Sequence, residues 1–190
     1  MVDDDLRLLD RWCGGEAAAG NELFSRHFPS VYRFFEHKTE HEVDDLVQET
    51  FLQCLNARQS FKRQSTFRTY LFAIARHVLF GYWRRQRSGK DAIDFEDVSI
   101  ASLSTSVGGK LVKGEERARL LGGLRALPLE QQMLLEMYYW ENFDRDQLAE
   151  VFDVENATIG SRLTRARQAL RERLGTGDDI DALARRASSE

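Results

Sequence analysis

Along nearly the whole chain the apolar residues return every three or four positions, and no stretch alternates convincingly at period two. That spacing lines one face of a helix and gives a strand no face to bury, so the expected fold class is all-α. The pattern fails in one place. Residues 88–114 contain Asp91, Asp94, Glu96 and Asp97, then a tract of Ser99, Ser102, Ser104, Thr105, Ser106, Gly108 and Gly109. A segment of that composition cannot bury much apolar surface, so it reads as a flexible acidic linker. It divides the chain into two small helical domains, residues 1–87 and 115–175, followed by a tail, 176–190. The chain's 190 residues suffice for two such domains, and no internal repeat is present.

In the first domain, Leu23, Phe24, Phe28, Val31, Tyr32 and Phe35 form one amphipathic helix, with Pro29 as a point where it can kink. Val43, Leu46, Val47, Thr50, Phe51, Cys54 and Leu55 give the next helix a complete core face, and Phe67, Leu71, Ile74, Ala75, Val78, Leu79 and Tyr82 give a third. The second domain opens with Leu120, Leu121, Leu124 and Leu127, after which Pro128 can start a helix through Met133, Leu134, Met137 and Tyr138. Asp144-Arg145-Asp146-Gln147 reads as a capping box, with Asp144 as N-cap and Gln147 at N3, opening a short helix from Leu148 to Phe152. A tight turn follows at Asp153, a residue type that tolerates the left-handed conformation, and a helix from about Asn156 to Leu174 buries Ile159, Leu163, Ala166, Leu170 and Leu174.

The longest apolar run, Tyr70 to Ala75, is far too short to span a bilayer, so membrane insertion is not expected. The chain opens Met1-Val2 and then Asp3-Asp4-Asp5, unlike a secretory leader, so the expected location is the cytoplasm. Cys13 and Cys54 stand apart without a CxxC, which suggests neither a disulfide framework nor a cysteine-based zinc site. The net charge of −4 would argue against a nucleic-acid partner if it were spread evenly. It is not: residues 59–90 carry 8 basic side chains and no acidic ones, and residues 154–174 hold five arginines against two glutamates. Two basic segments in an acidic chain are two electrostatic footprints for phosphate.

Three faces stand apart from the regular core stripes, two in the first domain and one in the second. Asp45, Gln48, Glu49 and Leu52 follow i, i+3, i+4, i+7 and set a leucine among acid and amide groups, as a protein-docking face does; an incidental exposed leucine is the plain alternative. Phe72, Arg76, Phe80, Trp83, Arg84 and Arg87 interleave aromatics with arginines, a combination suited to single-stranded nucleic acid. Phe72 and Phe80 read better as core, and Trp83 as an exposed stacking platform. In the second domain Thr158, Ser161, Arg162 and Arg165 share the polar face of the last helix. Short helix, tight turn and long helix with arginines near its start make a helix-turn-helix whose second helix enters the DNA major groove.

The run Asp44-Asp45-Leu46-Val47-Gln48-Glu49-Thr50-Phe51-Leu52, continued by Ser60 through Arg76, resembles region 2 of bacterial sigma factors of the extracytoplasmic-function group. The stretch from Leu127-Pro128 to Arg167 resembles region 4 of the same group, in the right order and with a linker between. The resemblance implies an alternative transcription initiation factor, not an enzyme, that needs no cofactor or metal. Its partners would be core RNA polymerase, through the β′ and β subunits, and promoter DNA; many relatives are also held by an anti-sigma protein. Carried over by position, Asp45, Gln48, Glu49 and Leu52 would dock on a coiled coil of β′. Lys62, Arg63, Ser65, Arg76, His77, Trp83, Arg84 and Arg87 would read the melted minus-10 strand, and Asn156, Thr158, Ser161, Arg162 and Arg165 the minus-35 duplex. The linker would thread towards the polymerase active-site channel.

Departures from the family pattern fall on promoter-reading positions: His77 where asparagine is common, Gly81 for aspartate, Ala157 for glycine and Gly160 for lysine. The runner-up reading is a stand-alone helix-turn-helix regulator, which leaves the acid-amide-leucine face unexplained. A metal enzyme fares worse: His37 and His41 are four apart, but Lys38-Thr39-Glu40 lacks the base position of HExxH, and neither a glycine-rich phosphate loop nor a GxSxG elbow occurs.

Overall fold

The computed structural model describes residues 2–39, 42–57, 61, 65–86, 94–103, 115–175 and 182. The regular elements among them are helices, joined by a single isolated bridge between Ser99 and Pro128. In chain order they are α1 (Val2–Cys13), α2 (Ala17–Glu36), α3 (Val43–Ala57), α4 (Phe67–Gln86), α5 (Ile100–Leu103), α6 (Glu115–Arg125), α7 (Leu129–Tyr139), α8 (Arg145–Phe152) and α9 (Asn156–Leu174).

The first helical domain is built from α1 to α4. Leu8 and Leu9 of α1, Leu23, Val31 and Phe35 of α2, Leu46, Val47 and Cys54 of α3, and Leu71, Ala75 and Leu79 of α4 fill its core. α2 runs unbroken through Pro29. Gly20 is required by packing: a Cβ there would sit 2.4 Å from the Trp12 indole nitrogen, so only glycine lets α1 seat its tryptophan on α2. Asp5 fastens the same pair of helices, accepting from Arg26 at 2.5 Å and lying 2.8 Å from His27 Nε2. α4 starts where the Thr66 hydroxyl accepts the Thr69 backbone N–H at 3.0 Å, satisfying a donor the helix leaves open.

In the second helical domain α9 packs on α6, α7 and α8. Gly123 permits the α6–α9 approach, since a Cβ would lie 2.9 Å from Leu174. The capping box expected at the start of α8 is present: the Gln147 backbone N–H donates to Asp144 at 2.8 Å and the Asp144 N–H to the Gln147 side chain at 3.0 Å. Asp153 ends α8 in the left-handed region at φ 55°, also as expected.

The two domains lie against each other. α4 is buried on two sides, by its own domain and by α8, which is why its apolar residues show no single stripe. Phe72 meets Phe34 at 5.7 Å and Phe143, across the interface, at 5.1 Å. The acidic linker is anchored over part of its length. Phe95, Ile100 and Leu103 are buried, Phe95 stacks on Phe80 at 4.1 Å, and the Leu129 and Glu130 N–H groups donate to Val98 and Phe95 carbonyls. Average composition hid these three apolar anchors in a polar tract; residues 104–114 lie outside the described residues.

Candidate nucleic-acid interface

α3 buries Val43, Leu46, Val47, Thr50, Phe51 and Cys54 and turns its other face to water. On that face Asp45 and Gln48 are exposed, Glu49 is half-buried, and Leu52 is 50% exposed. Glu49 accepts from Gln53 at 3.1 Å and from Arg85 at 3.2 Å. The other large apolar side chain in the open, among the described residues, is Phe24, 39% exposed, whose ring lies 4.4 Å from that of Phe51. Phe24 thus stands at the edge where α2 packs on α3. The sequence groups Phe24 with Leu23, Phe28 and Val31 in one amphipathic helix, but Leu23 and Phe24 are consecutive and a helix cannot aim both at one core.

The basic segment is divided by the fold. Phe72 and Phe80 are core, as expected, but Trp83 is too. It is 4% exposed, so the expectation of an open stacking platform at Trp83 is corrected. α4 buries both Tyr82 and Trp83, although the two are consecutive. Arg84 is exposed and lies over the Phe95 ring at 5.6 Å. His77 reaches solvent, yet partial burial lowers its pKa, as do the Arg76 and Arg84 charges. Ser65 is half-buried just ahead of α4. Arg76 turns inward, over Phe80 at 4.6 Å and Phe152 at 5.2 Å, and pairs with Glu130 of α7. Lys62, Arg63 and Arg87 lie outside the described residues, as does His41.

At the start of α9, Asn156, Ser161 and Arg165 are exposed and Thr158 is half-buried. Asn156 donates to Asp146 at 2.5 Å, and the Ser161 hydroxyl to the Thr158 carbonyl at 2.8 Å. Arg162 lies along the domain, donating to Glu130 at 2.9 Å and to Glu96 of the linker at 2.7 Å. Polar side chains at the head of a helix held out by a capped partner can reach base edges, while arginines on the same face hold phosphates.

This geometry defines a two-domain helical protein with a capped helix-turn-helix and a separate exposed acid-amide-leucine face. Residues 23–89 match the family model for sigma-70 region 2, and residues 117–170 that for sigma-70 region 4. The chain is 28% identical to the ECF RNA polymerase sigma factor SigM of Bacillus subtilis (strain 168) over 154 residues, spanning 80% of this chain and 92% of the relative. It is 27% identical to the ECF RNA polymerase sigma-E factor of Escherichia coli (strain K12) over 175 residues, spanning 87% and 92%. Among solved structures, CnrH in complex with the cytosolic domain of CnrY superimposes with a TM-score of 0.68 at 21% identity, covering 92% of this chain and 99% of that one. The sigma factor RpoE in complex with the anti-sigma factor NepR from Bartonella quintana gives 0.64 at 21%, covering 83% and 98%. The chain belongs to the sigma-70 family, as a member of its extracytoplasmic-function group. It is an alternative sigma factor, directing RNA polymerase to promoters.

Proposed function

We propose that α3 and α9 carry the two halves of that activity. Asp45, Gln48, Glu49 and Leu52 dock on the β′ subunit of core polymerase. Asn156, Thr158, Ser161, Arg162 and Arg165 read the minus-35 duplex, while Ser65, Arg76, His77 and Arg84, with Lys62, Arg63 and Arg87, hold the melted minus-10 strand. The observation that carries the reading is the union, in one chain, of a capped helix-turn-helix with an exposed acid-amide-leucine face on a helix whose apolar face is committed to the core. A stand-alone regulator has no use for that face.

The protein works by binding, without covalent chemistry. Unstacking promoter bases costs a few kcal/mol, offset by phosphate contacts. Its place of action is the cytoplasm, where the polymerase and the template are; no helix among the described residues is long and apolar enough to cross a membrane. A solved relative is bound to the anti-sigma factor NepR, and a protein of that kind is the expected inhibitor here.

The test is co-elution with bacterial core polymerase, wild type against a Gln48→Ala, Glu49→Ala, Leu52→Ala variant. These side chains lie outside the core, so the variant stays folded. Binding by the wild type and its loss in the variant is the expected result; a wild type that ignores core polymerase overturns the proposal.

A further inference from the structure

Arg145 opens α8, yet its guanidinium lies over α9. A Cβ added at Gly160 of α9 would sit 3.7 Å from Arg145 Nη1 and 4.0 Å from its Cζ, and no other described side chain comes within 4 Å. Neither residue is what its position in the fold calls for. Glycine weakens a helix interior. Gly160 is in the ordinary helical conformation, since the described glycines with positive φ are Gly15 and Gly175, and unlike Gly20 and Gly123 it has no neighbour with which a Cβ would clash. An arginine in the first turn of a helix, for its part, has the helix dipole against it.

The carboxylates beside Arg145 are turned elsewhere. Asp144 accepts the Gln147 N–H in the capping box, and Asp146 Oδ1 accepts from Asn156 at 2.5 Å. Arg145 is exposed and has no ion pair or hydrogen bond among the described residues. Other arginines nearby differ: Arg162 donates to Glu130 and Glu96, and Arg167 to Tyr139 at 2.7 Å. The two anomalies answer each other. A side chain longer than a methyl at position 160 would take the space in which the guanidinium lies. Without one, a cation from α8 rests on the outer face of α9, between the exposed Asn156 one turn before Gly160 and the exposed Thr164 one turn after. What such a cation meets follows from the helix that carries it. In a helix-turn-helix the second helix puts the residues near its start on base edges, while the first crosses the phosphate backbone.

We infer that Arg145 is a DNA-contact residue, holding a backbone phosphate of the minus-35 duplex, and that Gly160 is its positioning residue, leaving the gap that seats the guanidinium on α9. The inference rests on the proposed reading of α9 as the minus-35 helix and adds to it a contact from α8. A phosphate is the same whatever base it carries, so the contact strengthens binding to every duplex and selects none. Lysine brings the same charge to a phosphate, as a point and not a fork, so Arg145→Lys should keep most of the effect.

The experiment uses RNA polymerase holoenzyme reconstituted with the full-length chain, and a labelled promoter duplex that wild-type holoenzyme selects from random DNA, with binding followed by anisotropy at several salt concentrations. Arg145→Ala is expected to weaken binding about three- to tenfold and to lower the salt slope by about one, equally for duplexes in which each minus-35 base pair is changed in turn. Arg145→Lys should stay within about twofold of wild type. Gly160→Leu should match Arg145→Ala, and the double variant should be no worse than either. Arg7→Ala, at an exposed arginine of α1, controls for net charge and should leave the slope unchanged. Helical circular dichroism separates a lost contact from a lost fold; should Gly160→Leu unfold, the alanine and lysine variants of Arg145 decide. An Arg145→Ala holoenzyme with the wild-type slope, or a loss confined to one minus-35 base pair, overturns the phosphate contact, and additive losses in the double variant overturn the role of Gly160. Asn156→Ala keeps this claim apart from the reading it rests on. If Asn156→Ala weakens binding and Arg145→Ala does not, the Arg145 contact falls and the minus-35 reading of α9 stands; if neither does, and changed minus-35 base pairs leave wild type unaffected, that reading fails as well.

Discussion

Phe143 gives the packing of the two domains a measurable energy. It belongs to the second domain and is buried, its ring 5.1 Å from Phe72 of the first and 4.6 Å from the Arg68 guanidinium. Removing a buried phenylalanine side chain costs about 3–5 kcal/mol, through lost burial and the cavity left behind. The edge-to-face pair with Phe72 and the cation over the ring lie within that figure. For a chain of this length about 1 kcal/mol moves the midpoint by about 2–4 °C, so Phe143→Ala should lower the melting temperature by about 10 °C. Leu52→Ala, on the exposed face of α3, is the control and should move it by less than about 2 °C. The assay is thermal unfolding followed by circular dichroism, with urea midpoints as a second measure. If Phe143→Ala behaves like Leu52→Ala, the ring is in water in the free protein, and the packing of α4 against the second domain is refuted.

Gly81→Ala should stabilise the protein by about 0.5–1 kcal/mol, because a Cβ there meets only the mobile end of Arg85 at 3.4 Å and the helix gains from the lost backbone freedom; a lower melting temperature would count against it. Asp144→Ala removes the N-cap of α8 and should cost about 1 kcal/mol, read as a lower urea midpoint. Stability should fall as pH drops below about 6.5: His27, His37 and His77 all have pKa values held below 6.5, chiefly by burial, so the unfolded chain takes up protons before the folded one does. For His27 the paired Asp5 opposes that depression without reversing it, and His27→Gln should flatten the acid side of the melting curve; a wild-type midpoint that rises on acidification would sink the reasoning.

Local features could be read from the sequence because their causes are local. The capping box at Asp144, the left-handed Asp153, the core face of α3 and the start of α9 depend on residues within a few positions of one another. Trp83 could not be placed that way, since it adjoins Tyr82 on α4 and a single core stripe would bury only one of the two. Phe95, Ile100 and Leu103 were hidden for a similar reason: three apolar groups in a polar tract are too few to show a period, yet each finds a site on the folded surface. Glu130, Glu136 and Glu141, buried in ion pairs with Arg76, Lys38 and Arg68 of the first domain, were the least legible, because a carboxylate on a helix is ordinarily in water and their cations are far away in sequence.

Those carboxylates also bear on why the interface is ionic at all. Replacing a buried ion pair by apolar side chains of similar volume is often neutral or stabilising, so Lys38 and Glu136 are not the strongest available way to hold two domains together. An apolar interface would be tighter, but on opening it would leave hydrophobic surface in water. Charged groups regain their hydration when exposed, so the ions of Arg76, Arg162 and Glu130 would meet water there on better terms than apolar side chains. An ionic interface of this kind therefore costs less to part than an apolar one of the same area, although it holds the two domains together less tightly.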